Sequence, residues 1–165
     1  MSAPRLKLAA AVVAAAALSA AAVVSTSARA DRAPGAVAPV AVPVITVYKS
    51  PTCGCCKEWV AHVQKAGFKV DVKDMNDMAT VKADAGVPAS VQSCHTAIVE
   101  GYAIEGHVPA DVIRRLLKER PKIAGIAVPG MPVGAPGMEV PGRKADSYDV
   151  LTFDRKGKTG VYTSR

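Results

Sequence analysis

Aromatic side chains are scarce: one tryptophan, two phenylalanines and four tyrosines make up 4% of the 165 residues. A basic stripe is missing too, because the lysines and arginines are scattered among acids. Together these absences argue against a nucleic-acid-binding surface, which needs clustered cations. Beyond the N-terminal region no apolar stretch approaches membrane-spanning length, and no long repeat is present. Histidine occurs three times and cysteine four times, so thiol and metal chemistry have few places to reside.

The first thirty residues read as an address. Arg5 and Lys7 precede an Ala/Val/Leu-rich run from Leu8 to Val24, and Ala28-Arg29-Ala30 then offers a small-x-small cleavage site. That is the pattern of a secretory signal peptide over 1–30, with Asp31 starting the mature chain and no stable membrane span left after cleavage. Removing Arg5, Lys7 and Arg29 takes the formal charge from +7 to +4. Export places the cysteines in a compartment that permits disulfides, the bacterial periplasm being the expected one. Residues 31–42, DRAPGAVAPVAV, lack periodicity and are expected to be a flexible linker. The folded domain is expected over 43–165, long enough for one core.

Within that domain, Val44 to Tyr48 is β-branched and aromatic and predicts a strand. Ser50-Pro51-Thr52 breaks it. A helix follows from about Cys53 to Ala66, with Cys56, Trp59, Val60 and Val63 on one inward face and Gly67 as its stop. Phe68 to Val72 predicts a second strand. Asn76 to Ala85 predicts a short helix with Met78, Val81 and Ala85 inward. Thr96–Val99 and Tyr102–Glu105 predict a hairpin. Pro109 to Arg120 predicts a helix with proline at its first position, Asp111 in its first turn and basic residues at its end. Ile123 to Gly142 reads as a Pro/Gly-rich loop, and Tyr148–Phe153 with Gly160–Thr163 as a last hairpin. This is an α/β chain in the thioredoxin order: a variant thioredoxin-like fold with a C-terminal hairpin.

The stretch SPTCGCCKEW places Cys53, Cys55 and Cys56 within four positions, and Cys94 follows in SCHTA. Of the three ways to pair four cysteines, only Cys53–Cys56 with Cys55–Cys94 avoids a very tight ring. A thiol–disulfide oxidoreductase using Cys53 and Cys56 is a second reading, because a helix N-terminus stabilises a thiolate. A metal site is the third. Zinc accepts four thiolates, whereas clustered thiolates near thioethers favour Cu(I). Thioethers are present: PGMPVGAPGM repeats Pro-Gly-Met and puts Met131 and Met138 in a loop rather than on a helical face. Met75 and Met78 read as core filler. His62 reads as a solvated surface residue. His95 adjoins Cys94, and for both to face one metal the chain must bend there, because successive strand residues point to opposite sides. His107 precedes a helix start, where the dipole favours the neutral ring that binds metal.

The motifs YKSPTCGCCKEW, SCHTA, EGHVPA and PGMPVGAPGME together resemble the CopG family of periplasmic copper-resistance proteins (distinct from the ribbon-helix-helix repressor sharing that name). The resemblance covers the chain from about Ile45 to Phe153. It implies a variant thioredoxin fold, a cysteine-bridged multinuclear copper cluster and a copper oxidoreductase role that interconverts Cu(I) and Cu(II). By position, the family's cysteines fall on Cys53, Cys55, Cys56 and Cys94, with His95 beside the last. Its GHVPA histidine falls on His107, and its loop methionines on Met131 and Met138. Ala135 stands where the family often has serine, which removes a hydroxyl and no ligand. Copper ions, and other periplasmic copper-handling proteins, are the partners implied.

Overall fold

The structure, a computed structural model, describes residues 43–165. The expected signal peptide (1–30) and linker (31–42) lie outside the described residues. Strand β1 (Val44–Lys49) alternates as a half-buried strand should: Ile45, Val47 and Lys49 are buried and the residues between them are not. The turn after it closes with the Cys53 N–H donating to the Ser50 carbonyl. Helix α1 (Gly54–Lys65) buries Cys56, Trp59, Val60 and Val63, the stripe its 3.6-residue period predicts. It stops at Gly67, whose φ of 90° only glycine adopts freely. Strand β2 (Lys69–Asp74) returns parallel to β1, Val44 opposite Lys69.

Helix α2 (Met78–Asp84) is capped by Asp77, whose carboxylate accepts from the Thr80 N–H. A 3-10 turn at Ala89–Val91 leads to β3 (Thr96–Val99) and β4 (Tyr102–Glu105), an antiparallel hairpin. Helix α3 (Ala110–Glu119) then crosses to β5 (Gly125–Ala127), which lies parallel to β4. Strands β6 (Asp149–Phe153) and β7 (Thr159–Ser164) complete one seven-stranded sheet in the order β2-β1-β3-β4-β5-β6-β7.

Because strand side chains alternate, the sheet feeds two cores. Ile45, Val47, Ala97 and Ile104 pack with Trp59 and Val63 of α1 and Ile113 and Leu116 of α3. The register pairs that alternate with them, Ile98 with Ala103, face the other side and join Val87, Val91, Ala127 and Phe153. That second face carries α2. No helix among the described residues is long and apolar enough to cross a membrane.

The α/β, thioredoxin-like order with a C-terminal hairpin is the fold observed. Four local expectations need correction. The stretch read as a loop from Ile123 contains β5, a strand made by its neighbours β4 and β6 rather than by its own pattern. Pro109 is the residue before α3 and not its first. On α2, Met78 and Val81 are only half-buried while Lys82 is buried. Met75, read as core filler, instead lines a cavity of about 480 Å³ beside α2, together with Tyr48, Val81 and Ile98.

Candidate metal centre

The entry to α1 gathers sulfur. Cys53 caps the helix in extended conformation, and its Sγ accepts the Cys56 N–H at 3.3 Å. One helical turn brings Cys53 and Cys56 to a Cα separation of 5.4 Å, and they are joined by a disulfide. Cys56 is fully buried and Cys53 half-buried, as the stripe on α1 requires. Cys55 and Cys94 are free thiols, so half of the one feasible pairing is formed. The Cys55 sulfur lies 3.5 Å from that of Cys53.

Cys94 arrives from the short segment between the 3-10 turn and β3. The chain bends at Cys94 before β3 begins, which is how two consecutive side chains come to serve one site. The four cysteine sulfurs all lie within 4.8 Å of one another. A second set, Cys94 with His95 and His107, meets the same limit. Cys94 belongs to both.

His107 is prepared as a donor. Its Nδ1–H donates to the Pro136 carbonyl at 2.7 Å, which leaves the lone pair of Nε2 facing the Cys94 sulfur at 3.0 Å. Burial holds its pKa below the ordinary value. The ring is therefore neutral as expected, but burial rather than a helix dipole is the main cause. His95 is fully buried, with Nδ1 3.3 Å from the Cys94 sulfur. Burial, then His107, then Lys82 hold its pKa well below the usual range. Its Nε2 is buried without a hydrogen-bond partner, a costly state for a polar atom. The Cys94 thiol is pushed up to about 12, by burial first and the neighbouring Cys55 second. In the metal-free protein it keeps its proton at neutral pH.

Helix α1 also clamps the histidine segment. The Trp59 indole N–H donates to the Val108 carbonyl at 2.9 Å, and the ring packs on His95 at 4.4 Å between centroids. His62, expected to be solvated, is half-buried instead, and its Nε2 accepts the Ala110 N–H at 3.1 Å. It satisfies a backbone donor at the start of α3 that Pro109 has no side chain to cap.

The two Pro-Gly-Met turns flank this group. Gly130 accepts a hydrogen bond from the Ser93 hydroxyl, next to Cys94. Gly137, at φ 83°, lies so close to α1 that a Cβ there would sit 2.8 Å from the Cys55 carbonyl oxygen and 2.8 Å from the Trp59 nitrogen. Met138 follows it and is half-buried, while Met131 is 56% exposed. So Cys53, Cys55, Cys56, Cys94, His95 and His107 converge, with Met138 on the inner turn and Met131 on the outer one.

Two further residues lie behind the bend and escaped the sequence reading. Glu105 is fully buried, and its carboxylate binds the Lys82 ammonium at 2.6 Å. A signal existed: Lys82 stands four residues after Met78 and three before Ala85, on the inward stripe of α2.

The buried neutral histidines set a pH dependence for the metal-free fold. In the unfolded chain each returns to its ordinary value of 6.5. Below that pH the unfolded chain takes up protons that the folded chain refuses, so stability falls as pH falls, by at most about 1.4 kcal/mol per unit for each ring. Thermal melts from pH 7.5 to 5 should show this decline, and His95→Phe should make it shallower. An unchanged slope in the variant would count against a buried neutral His95.

The family model described as a protein of unknown function, DUF411, matches residues 91–138, the segment from the 3-10 turn through the second Pro-Gly-Met. No curated protein matches the chain. Two solved structures, described as copper resistance protein CopG, form 2 and form 1, are both 46% identical to it. The TM-scores are 0.70 and 0.69. Each alignment covers 74% of this chain, and 98% and 96% of the respective structures.

Proposed function

The chain belongs to the family of the copper resistance protein CopG, and from that premise we propose that it is an exported protein that contributes to copper resistance by binding copper in a thiolate-bridged, multinuclear cluster and interconverting Cu(I) and Cu(II). The observation that carries the reading is the double membership of Cys94. One sulfur borders three other sulfurs and two imidazoles. Thiolates are soft donors that prefer Cu(I), and a sulfur shared between ions lets several of them sit close together. Imidazole tolerates both oxidation states, so the Cys94–His95–His107 side suits an ion that changes charge. Met138 and Met131 supply thioethers on the way in.

Copper here is cargo, and the protein's own groups prepare for it. Cys94 must release its proton to solvent on binding, and the neutral His107 Nε2, 3.0 Å away, keeps its lone pair for the metal. The Cys53–Cys56 disulfide must take up two electrons and two protons before all four sulfurs can serve. Copper-handling proteins of the same compartment are the expected exchange partners.

The test is an anaerobic Cu(I) titration of the phosphine-reduced protein, read by native mass spectrometry. A plateau above one copper per chain is expected, and a lower one from the disulfide form. A plateau at one copper or fewer in the reduced protein would overturn the cluster. One stoichiometric zinc that Cu(I) cannot displace would point to a structural site instead.

Thiol–disulfide exchange is the second reading, favoured by the disulfide at the α1 cap and by the Cys56 N–H aimed at the Cys53 sulfur. It requires metal-free protein to reduce insulin disulfides and a Cys56→Ser variant to trap mixed disulfides. Failure of both removes it.

A further inference from the structure

Against the Ser93–His95 bend lies a carboxylate that touches no metal donor. Glu105, the last residue of β4, gathers three donors. Its Oε1 accepts the Ser93 N–H at 2.6 Å and the Lys82 ammonium at 2.6 Å, and its Oε2 accepts the Thr96 hydroxyl at 2.6 Å. The Lys82 ammonium also donates to the Thr96 hydroxyl oxygen at 3.1 Å. The donors come from α2, from the bend and from β3, so they approach the carboxylate from different directions. Glu105 is 0% exposed and Lys82 6%.

A buried ion pair adds little stability over apolar residues of the same size, and its best-attested use is to select one arrangement. Here the carboxylate of the pair is bonded directly to the bend, through the Ser93 N–H. An apolar side chain at 105 fills the space yet leaves the Ser93 N–H without its acceptor. The bend also has little room elsewhere. A Cβ at Gly106 would lie 2.6 Å from the Ser93 Cβ, and the Gly106 N–H donates to the His95 carbonyl at 2.9 Å. Gly130 accepts the Ser93 hydroxyl from the opposite side.

We infer that Glu105, neutralised by Lys82, is a positioning residue for the metal site: it holds the bend so that the Cys94 sulfur meets the α1 cysteines and His107. The inference rests on the proposed role of Cys94 as the shared copper ligand. The two are separable by experiment.

Two double variants isolate the contact. Lys82→Met with Glu105→Gln removes both charges and keeps an oxygen for the Ser93 N–H. Lys82→Met with Glu105→Leu removes both charges and the acceptor. The first readout uses no metal. In a Cys53→Ser/Cys56→Ser background, oxidised glutathione drives Cys55–Cys94 disulfide formation: two protein thiols lose two electrons and two protons, and one glutathione disulfide becomes two thiols. The Gln variant should cross-link within about twofold of the parent rate, and the Leu variant more than about tenfold more slowly. The second readout is Cu(I) retention against a chelator with all four cysteines present. The Leu variant should lose copper more than about tenfold more readily and the Gln variant should resemble the parent.

Cross-linking of the Leu variant at the parent rate would overturn the inference, as would equal slowing of both variants, which would assign the effect to charge. If the Leu variant does not fold, Glu105→Asp keeps the charge but withdraws the carboxylate by one methylene. Parent-rate cross-linking there would overturn it equally. If cross-linking behaves as expected while Cys94→Ser binds copper like the parent, positioning stands and the copper reading falls.

Discussion

Replacing Trp59 by alanine will lower the unfolding free energy by about 4 kcal/mol, the range for deleting a large buried aromatic. Trp59 is fully buried at the junction of α1, the sheet and the His107 segment. Its loss also removes the hydrogen bond to the Val108 carbonyl and the wall against which His95 packs. Domains of this size hold roughly 5–15 kcal/mol in total, so the variant should melt about 15 °C lower by calorimetry. Trp59→Phe keeps a ring against His95 and gives up only the polar contact and some volume, so a loss of about 2 kcal/mol is expected. A shift under about 4 °C for the alanine variant would mean that the junction closes over the gap. Trp59 is the chain's one tryptophan and sits 4.4 Å from His95. Its fluorescence should therefore be quenched as copper binds.

Cys94→Ser should have the largest effect on metal. The hydroxyl is a hard oxygen donor with little affinity for Cu(I), and it stands where the sulfur-rich and imidazole-rich sets meet. The Cu(I) plateau should fall to one per chain or fewer, and the remaining ion should dissociate more than about 100-fold more readily. The fold should survive, because Cys94 is half-buried and free of any disulfide. The pH dependence carries a sign of its own. The parent thiol sits at about 12 in the metal-free protein, so copper must displace its proton. Parent affinity should then rise by up to about tenfold per pH unit from this residue alone, and the serine variant should lose one proton's worth of slope. An unchanged plateau and slope would remove Cys94 from the site.

Much of the framework was legible because it depends on period. The inward stripe of α1 predicts the burial of Cys56 and Trp59, and the Thr96–Glu105 hairpin follows from β-prone residues on either side of Gly101. The gathering of cysteines was legible because three are neighbours in the chain. What escaped depends on contacts distant in sequence. β5 is three residues long and shows no alternation; it is a strand because β4 and β6 leave it a place. His62 looks solvated until α3 is set against it, 48 residues later. Lys82 stands on the inward stripe of α2, but the partner that makes a charge tolerable there, Glu105, lies 23 residues away in the chain. The requirement for a bend at Cys94 could be stated in advance, but the carboxylate bonded to it could not.

Cys53, Cys55 and Cys56 are adjacent in the chain, and this has a thermodynamic consequence. They need no tertiary structure to meet, so a denatured chain still presents three sulfurs to Cu(I). Only Cys94, His95 and His107 require the native state to join them. By mass action, a ligand stabilises a fold only to the extent that it prefers the native over the denatured ensemble. Copper should therefore raise the melting temperature by much less than its overall affinity suggests. The increment that does appear measures the donors contributed by Cys94, His95 and His107.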